Sequence, residues 1–376
     1  MKNSFGVFEG RRAKLYDWMA REGAALAMFE DFEGRRDPAV RWMTGHPMDA
    51  LVFLSIDRSA LLVPWDVNLA RRCGCADSII PYGDFGRQPV KALRAAAEHF
   101  KIPPGSKLEI PPATPYPRFL QFVEALADYD ILCRNEGIAE AAEAFRAVKD
   151  EEEIRIYRRA AEITNGLIDL LEETVRGGKL KTETDAALFI EAEARNRGCE
   201  GTGFETLAAG PGRSFGIHAF PAFTGGPFAG PGLSILDFGL KYHGYTTDVT
   251  LTFAAEPLSP RQRSMVSLVE RAYKLALSLV KEGAAAAEIA ARVEAFFGKF
   301  RKAMPHALGH GIGLEAHEAP VLHNREDNVW RLAPGMVITL EPGLYDSYRG
   351  GCRLENDLLV TGDGAELLTG ARIIRL

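Results

Sequence analysis

Residues 306–320 read HALGHGIGLEAHEAP, so three of the chain's eight histidines (His306, His310 and His317) fall close together, with His323 shortly after. Imidazole crowded in this way can serve as a metal ligand, as an acid–base group or as a hydrogen-bonded core residue. Gly309 and Gly311 on either side of His310 suggest a special backbone rather than a helical face carrying two histidines one turn apart. Two carboxylate pairs elsewhere in the chain bear on the choice. In LSILDFGLKYHGYTTDVTLTF, residues 233–253, two apolar arms flank a polar centre containing Lys241, His243 and Gly244, which is the pattern of a β-hairpin. Asp237 and Asp248 are equidistant from position 242.5, so antiparallel pairing about that centre sets them opposite each other on one face. Directly opposed Cβ atoms lie about 4.5–5.5 Å apart. Two like charges that close in an apolar setting repel, and one is expected to be neutral unless a cation sits between them. The pattern recurs in MVITLEPGLYDSYRGGCRLENDLLV, where Glu341 and Glu355 are equidistant from residue 348, inside the polar turn 346–351.

Four carboxylates and one imidazole suit two divalent cations rather than one. An oxygen-rich set with a single nitrogen favours manganese, cobalt, iron or zinc, and the lack of a cysteine ligand argues against a structural zinc site. Two such metals can share a water, bring its pKa towards neutrality and stabilise an oxyanion at an attacked carbonyl.

These groups need elements to hold them. The chain has 376 residues, too many for one ordinary core, with 47% hydrophobic and 26% charged residues, a globular composition. Residues 1–140 read as an α/β unit: apolar stretches 51–56 and 61–63 flank Asp57 and Arg58 as a hairpin, 90–99 is helical, and a Pro-rich segment follows between Pro103 and Pro117. From about residue 141 to 376 the texture becomes α+β. Ile154, Tyr157, Ala161, Thr164, Ile168 and Leu171 recur at helical spacing up to Gly177 and Gly178. Thr182 or Thr184 caps a second helix, and Ser259 with Pro260 opens a third that Gly283 is expected to stop. Strands are expected at 233–238, 245–253, 336–340 and 352–360.

A net charge of −6 implies no general attraction to nucleic acid or an anionic membrane. No run approaches the ~18–20 apolar residues that cross a bilayer. The N-terminus reaches charge too early for a secretory signal. Five scattered cysteines read as reduced thiols, which points to a cytoplasmic protein.

Asp237, Asp248, His310, Glu341 and Glu355, in that order and context, resemble the five-ligand dinuclear site of the pita-bread metallopeptidases. The resemblance extends over nearly the whole chain. DPAVRWMTG (37–45) resembles a strand-and-turn stretch of the creatinase/prolidase N-terminal domain, and RAVKDEEEIRIYRRAAEI (146–163) resembles the linker helix that opens the catalytic domain. GHGIGLEAHEAP, LEPGLY and GCRLENDLLVT match the remaining motif blocks. An N-terminal domain separates the chain from methionine aminopeptidases, and Xaa-Pro dipeptidases (prolidases) and Xaa-Pro aminopeptidases are the members it resembles most.

The resemblance implies a pita-bread catalytic domain over 141–376 after a smaller domain over 1–140, a small peptide substrate, a homodimer, and two metal ions, manganese first, with cobalt, zinc or iron as alternatives. It implies that Asp237 binds one metal through both oxygens, that Asp248 and Glu355 bridge the pair, and that His310 and Glu341 complete the second. Glu341 is also implied to take a proton from the bridging water. His317 is implied to donate to the carbonyl or its oxyanion, His218 to contact substrate, His306 to stand beside the ligands, and Arg353 to support Glu355 and the departing product. His243 and His323 match no catalytic position and are expected to face solvent.

The stretch AAGPGRSFGIHAFPAFTGGPFAGPG (208–232) departs from the family pattern, with Phe215, Phe220, Phe223 and Phe228 among glycines and prolines. Those rings could form a pocket for a prolyl ring or pack beneath the loop. Two other readings stay open: a metal-dependent hydrolase or lyase of a small non-peptide compound on the same fold, and a non-catalytic interaction protein. Creatinase lacks the ligands, and non-catalytic relatives typically lose them, whereas the full set is present here.

Overall fold

The computed structural model describes residues 4–376. They form two compact units, one ending at Arg146 and the other spanning Ala147–Leu376. In the first, a six-stranded mixed sheet has the antiparallel strands Ala24–Asp31, Ala50–Ser55 and Ala60–Pro64 at its centre. All three are almost wholly buried, as expected for apolar runs covered on both faces. The stretch 37–45, expected as strand and turn, is instead the helix Pro38–Thr44. Asp37 caps it through the Ala39 N–H, Pro38 sits in its first turn, and Gly45 ends it at φ +74°. These are ordinary helix start and stop signals, and they prevail over strand propensity.

The second unit places the helices Glu151–Arg176, Glu183–Asn196, Pro260–Leu279 and Ala286–Gly298 around sheets of four and five strands. Asp150, Thr182 and Ser259 each close a capping box, which fixes where their helices begin. Pro260–Leu279 stops short of Gly283, which lies in the following turn at φ +76°. Tyr157 is fully buried, and its hydroxyl meets the carbonyls of Thr246 (3.0 Å) and Gly313 (3.3 Å). One helix thereby ties together the first acidic hairpin and the segment that follows His310.

The first hairpin pairs strand Gly232–Phe238 with Val249–Ala255, but in a register that sets Asp237 opposite Thr250, not Asp248. Its turn is His243 and Gly244, at φ +49° and +87°. A two-residue turn with both residues at positive φ matches the twist of the arms, so the turn fixes the register. The expected face-to-face contact of the two aspartates is therefore replaced by a diagonal one. A shift of two residues keeps both on the same face, whereas a shift of one would have separated them. In the second hairpin the register centres on residue 348 as expected: Leu340 pairs with Asn356 and Gly343 with Arg353, which leaves Glu341 and Glu355 at the break between two sheets.

Candidate metal centre

Asp248, His310 and Glu355 converge so that one ligand atom from each lies within 4.8 Å of the others, and all three are buried. Glu341 stands beside them, its Oε1 3.7 Å from His310 Nε2, and Asp248 Oδ2 is 3.8 Å from the same nitrogen. His310 lies on the short strand Gly309–Gly311. A Cβ at Gly309 would come within 2.0 Å of the Thr339 carbonyl oxygen, and one at Gly311 within 2.0 Å of that of Ala319. The two glycines let neighbouring strands close on both sides of the histidine. His310 Nδ1 is 3.0 Å from the Gly311 carbonyl, which can only accept, so the ring proton belongs there and Nε2 presents a lone pair to the carboxylates. Burial lowers the His310 pKa to about 4, so the ring is neutral.

A lone pair facing two carboxylates makes no hydrogen bond; it makes a cation site. Other features agree. Asp237 Oδ1 is buried without a hydrogen-bond partner. Burial, then the neighbouring acids, hold Asp248 and Glu341 well above the usual carboxylate range, and the same causes push Glu355 to about 7. A divalent cation would relieve each of these penalties together, so the donor set fits one.

Arg353 organises the other side. Its guanidinium is buried and donates to Asp237 Oδ2 (2.6 Å), Thr250 Oγ1 (3.0 Å), the Ile217 carbonyl (3.0 Å) and the Tyr345 hydroxyl (2.7 Å). Thr250 in turn donates to Glu355 Oε2 at 2.7 Å. Arg353 therefore supports Glu355 through Thr250, and its direct carboxylate partner is Asp237. With Oδ2 held by Arg353, Oδ1 is the Asp237 atom left without a partner. The Tyr345 O–H donates a hydrogen bond to His306 Nε2 (3.0 Å), whose Nδ1 rests on the Ala307 carbonyl and lies 3.6 Å from Glu341 Oε2. Burial lowers His306 to about 4, so it too is neutral. His317 is exposed, with its ring centre 4.3 Å from that of His310. His218 is exposed on the segment whose Ile217 carbonyl Arg353 holds. His243 faces solvent, and His323 is half-buried beside Asn328.

Three further residues, none distinguished by the motif spacing, support the site. Thr250 and Tyr345 link Arg353 to Glu355 and to His306, as above. Asp357, wholly buried, accepts the Asp248 backbone N–H at 3.1 Å and so orients that ligand's backbone. An aspartate inside the apolar run ENDLLV was the available signal for the last. The phenylalanines of 208–232 divide: Phe228 is buried against Phe253 (ring centres 5.2 Å apart) and Phe223 packs on the core, whereas Phe215 and Phe220 are 45% and 96% exposed.

A pH dependence follows for the metal-free protein. Glu355 titrates at about 7 when folded against 4.5 ordinarily, so the folded state holds the extra proton between those values. Stability is then present below 4.5 and lost as pH rises towards 7, by about 3 kcal/mol from this group. In chelator, denaturation midpoints should fall over that window, and divalent metal added at neutral pH should restore them. A flat pH profile in chelator would contradict the repulsion argued here.

Residues 155–362 match Metallopeptidase family M24. An Xaa-Pro dipeptidase from Pyrococcus horikoshii is 31% identical over 289 residues, covering 75% of this chain and 78% of the relative. An uncharacterized peptidase from Methanocaldococcus jannaschii is 34% identical over 238 residues, 63% of this chain and 67% of its own length, so the match spans about two thirds of that relative. The solved structure of an Xaa-Pro dipeptidase from Bacillus anthracis superposes with a TM-score of 0.85 at 24% identity, covering 98% of this chain and all of that one, which establishes the pita-bread fold. With more than half its length inside the family match, and with buried Asp248, His310 and Glu355 grouped so that they could hold an ion, the chain belongs to metallopeptidase family M24 and is a metal-dependent peptidase.

Proposed function

We propose that this chain is an exopeptidase that hydrolyses the bond between an N-terminal residue and proline in dipeptides or short peptides. Its cations, two in number and manganese by preference, are held by Asp237, Asp248, His310, Glu341 and Glu355. The observation that carries the metal reading is the His310 Nε2 lone pair set 3.8 and 3.7 Å from the carboxylates of Asp248 and Glu341. Proline preference is drawn from kinship with the Pyrococcus horikoshii dipeptidase. Residues 1–140 are read as a creatinase/prolidase-like domain. Five free thiols support a reducing, cytoplasmic setting, and a homodimer belongs to the same reading.

Bound divalent metal supplies Lewis acidity and a water acidified to near neutrality. Glu341, whose side chain is 17% exposed, would take a proton at Oε2. His317, open to solvent above His310, offers a ring N–H to the oxygen of the scissile carbonyl as charge develops there. Arg353 and Tyr345 keep His306 fixed and neutral, so that its ring orients Glu341 without competing for the proton.

The test is a panel of Xaa-Pro di-, tri- and pentapeptides with the apoprotein reloaded with manganese or cobalt. Hydrolysis confined to dipeptides indicates a dipeptidase, and cleavage of the longer peptides an aminopeptidase. Failure on every Xaa-Pro peptide overturns the proline assignment.

A further inference from the structure

The segment that departs most from the family pattern, 208–232, is fastened by one carboxylate outside the metal centre. Glu183 is the first residue of the helix Glu183–Asn196, and its side chain is 1% exposed. Its Oε1 accepts the Gly210 N–H at 2.8 Å. Its Oε2 accepts Arg213 Nη1 at 3.0 Å, the Thr224 N–H at 2.8 Å and Thr224 Oγ1 at 2.6 Å. Four donors from three points of one loop thus meet on one buried carboxylate. Arg213 also donates to the Pro221 carbonyl, so the same clasp holds the returning limb. Backbone pairs close the base: Glu183 N–H to the Gly226 carbonyl (2.9 Å), Thr184 N–H to Thr224 (3.0 Å) and Phe228 N–H to Lys181 (2.8 Å). Gly210 leaves no room for a side chain, since a Cβ there would lie 1.9 Å from the Pro227 carbonyl oxygen.

The far side of the loop is tied to the metal centre. Ser214 Oγ donates to the Leu233 carbonyl (2.6 Å) and accepts the Gly351 N–H (3.1 Å), and Arg353 holds the Ile217 carbonyl. Between these ties Phe215, His218 and Phe220 project outward, so this stretch takes its order from polar contacts rather than from apolar burial. Charge-assisted hydrogen bonds are about twice as strong as neutral ones, and a buried donor left without its acceptor is costly. Without the Glu183 charge the loop would sample other conformations, and apparent affinity falls in proportion to the fraction that remains competent.

We propose that Glu183 is a positioning residue for substrate binding: by clasping Gly210, Arg213 and Thr224 it holds the wall that carries His218 beside the metal centre. The proposal rests on the reading of His218 as a substrate-contacting group. The experiment compares wild type, Glu183→Gln and Glu183→Asp as metal-loaded full-length protein. Amide hydrogen exchange over 208–226, metal content, KM and kcat on an Xaa-Pro dipeptide, and calorimetric binding of a non-hydrolysable reduced-amide analogue of that dipeptide are measured. Glu183→Gln keeps the shape but turns an amide N–H₂ towards donors. It is expected to speed exchange at Gly210 and Thr224 and to raise KM and the analogue Kd about tenfold, with kcat within about twofold and metal content unchanged. Glu183→Asp, which keeps the charge, should fall between the two. Unchanged exchange at 210 and 224 overturns the clasp. Faster exchange with unchanged KM and Kd, or a loss of kcat in step with lost metal, overturns the role in binding and leaves Glu183 as part of the fold alone. Wild type inactive on Xaa-Pro peptides counts against the proline assignment only, because exchange and analogue binding are read without turnover.

Discussion

Glu355→Ala is expected to retain less than half of the wild-type divalent metal after dialysis and to lose peptide hydrolysis by about 10³-fold or more, beyond the 10–100-fold typical of removing a group that merely supports a ligand. Glu355 is 2% exposed and converges with Asp248 and His310 in the one cluster able to hold an ion among the described residues. Thr250 holds its Oε2 and Arg353 in turn holds Thr250, so the carboxylate is fixed in place beside the other donors. Metal analysis by mass spectrometry beside a circular dichroism melt separates ligand loss from unfolding. Glu355→Gln supplies a second check that needs no activity: it removes the buried charge, so the fall in chelated stability between pH 4.5 and 7 should flatten. Full metal content in Glu355→Ala would remove Glu355 from the ligand set.

Why this site could be read in the sequence at all follows from how hairpins work. Side-chain period along a strand is two, so an acid placed symmetrically about a polar turn must share a face with its counterpart whenever the turn is located to within an even shift. Glu341 and Glu355 obeyed the simple count about residue 348. Asp237 and Asp248 did not, since the left-handed pair His243 and Gly244 moved the centre and put Thr250 opposite Asp237. That displacement gives Thr250 its place: a hydroxyl between Arg353 and Glu355, in a strand where threonine is otherwise an unremarkable β-former. Tyr345, Asp357 and Glu183 act through contacts 8 to 109 residues distant along the chain from the groups they hold, and no local periodicity encodes such pairings. The helix at Pro38–Thr44 shows the converse: the capping Asp37, the first-turn Pro38 and the left-handed Gly45 of DPAVRWMTG encode it locally, against the likeness of the motif to a strand and turn.

His317→Ala is expected to keep its metal and lose about 10²–10⁴-fold in kcat, the usual size of an acid–base or oxyanion contribution. The backbone that presents this histidine is anchored by its neighbour rather than by its own side chain. Glu318 is buried, accepts the Glu315 N–H at 3.2 Å and lies 3.4 Å from the buried Lys149 ammonium. A Cβ at Gly313 would strike the Glu318 carboxylate at 2.2 Å, so the turn closes tightly over it. The His317 ring is left exposed, 4.3 Å from the His310 ring, with none of the packing that would make it part of the core. Truncating it should therefore leave the melting temperature nearly unchanged, since exposed side chains contribute little to stability. KM should move less than kcat, because a donor to developing charge acts in the transition state more than in the bound ground state. His317→Gln, which keeps an N–H donor but cannot carry a proton, distinguishes the two chemistries: recovery of at least tenfold over the alanine variant indicates a hydrogen bond to the oxyanion, and no recovery indicates proton transfer. Wild-type kcat in His317→Ala would take this residue out of the reaction altogether.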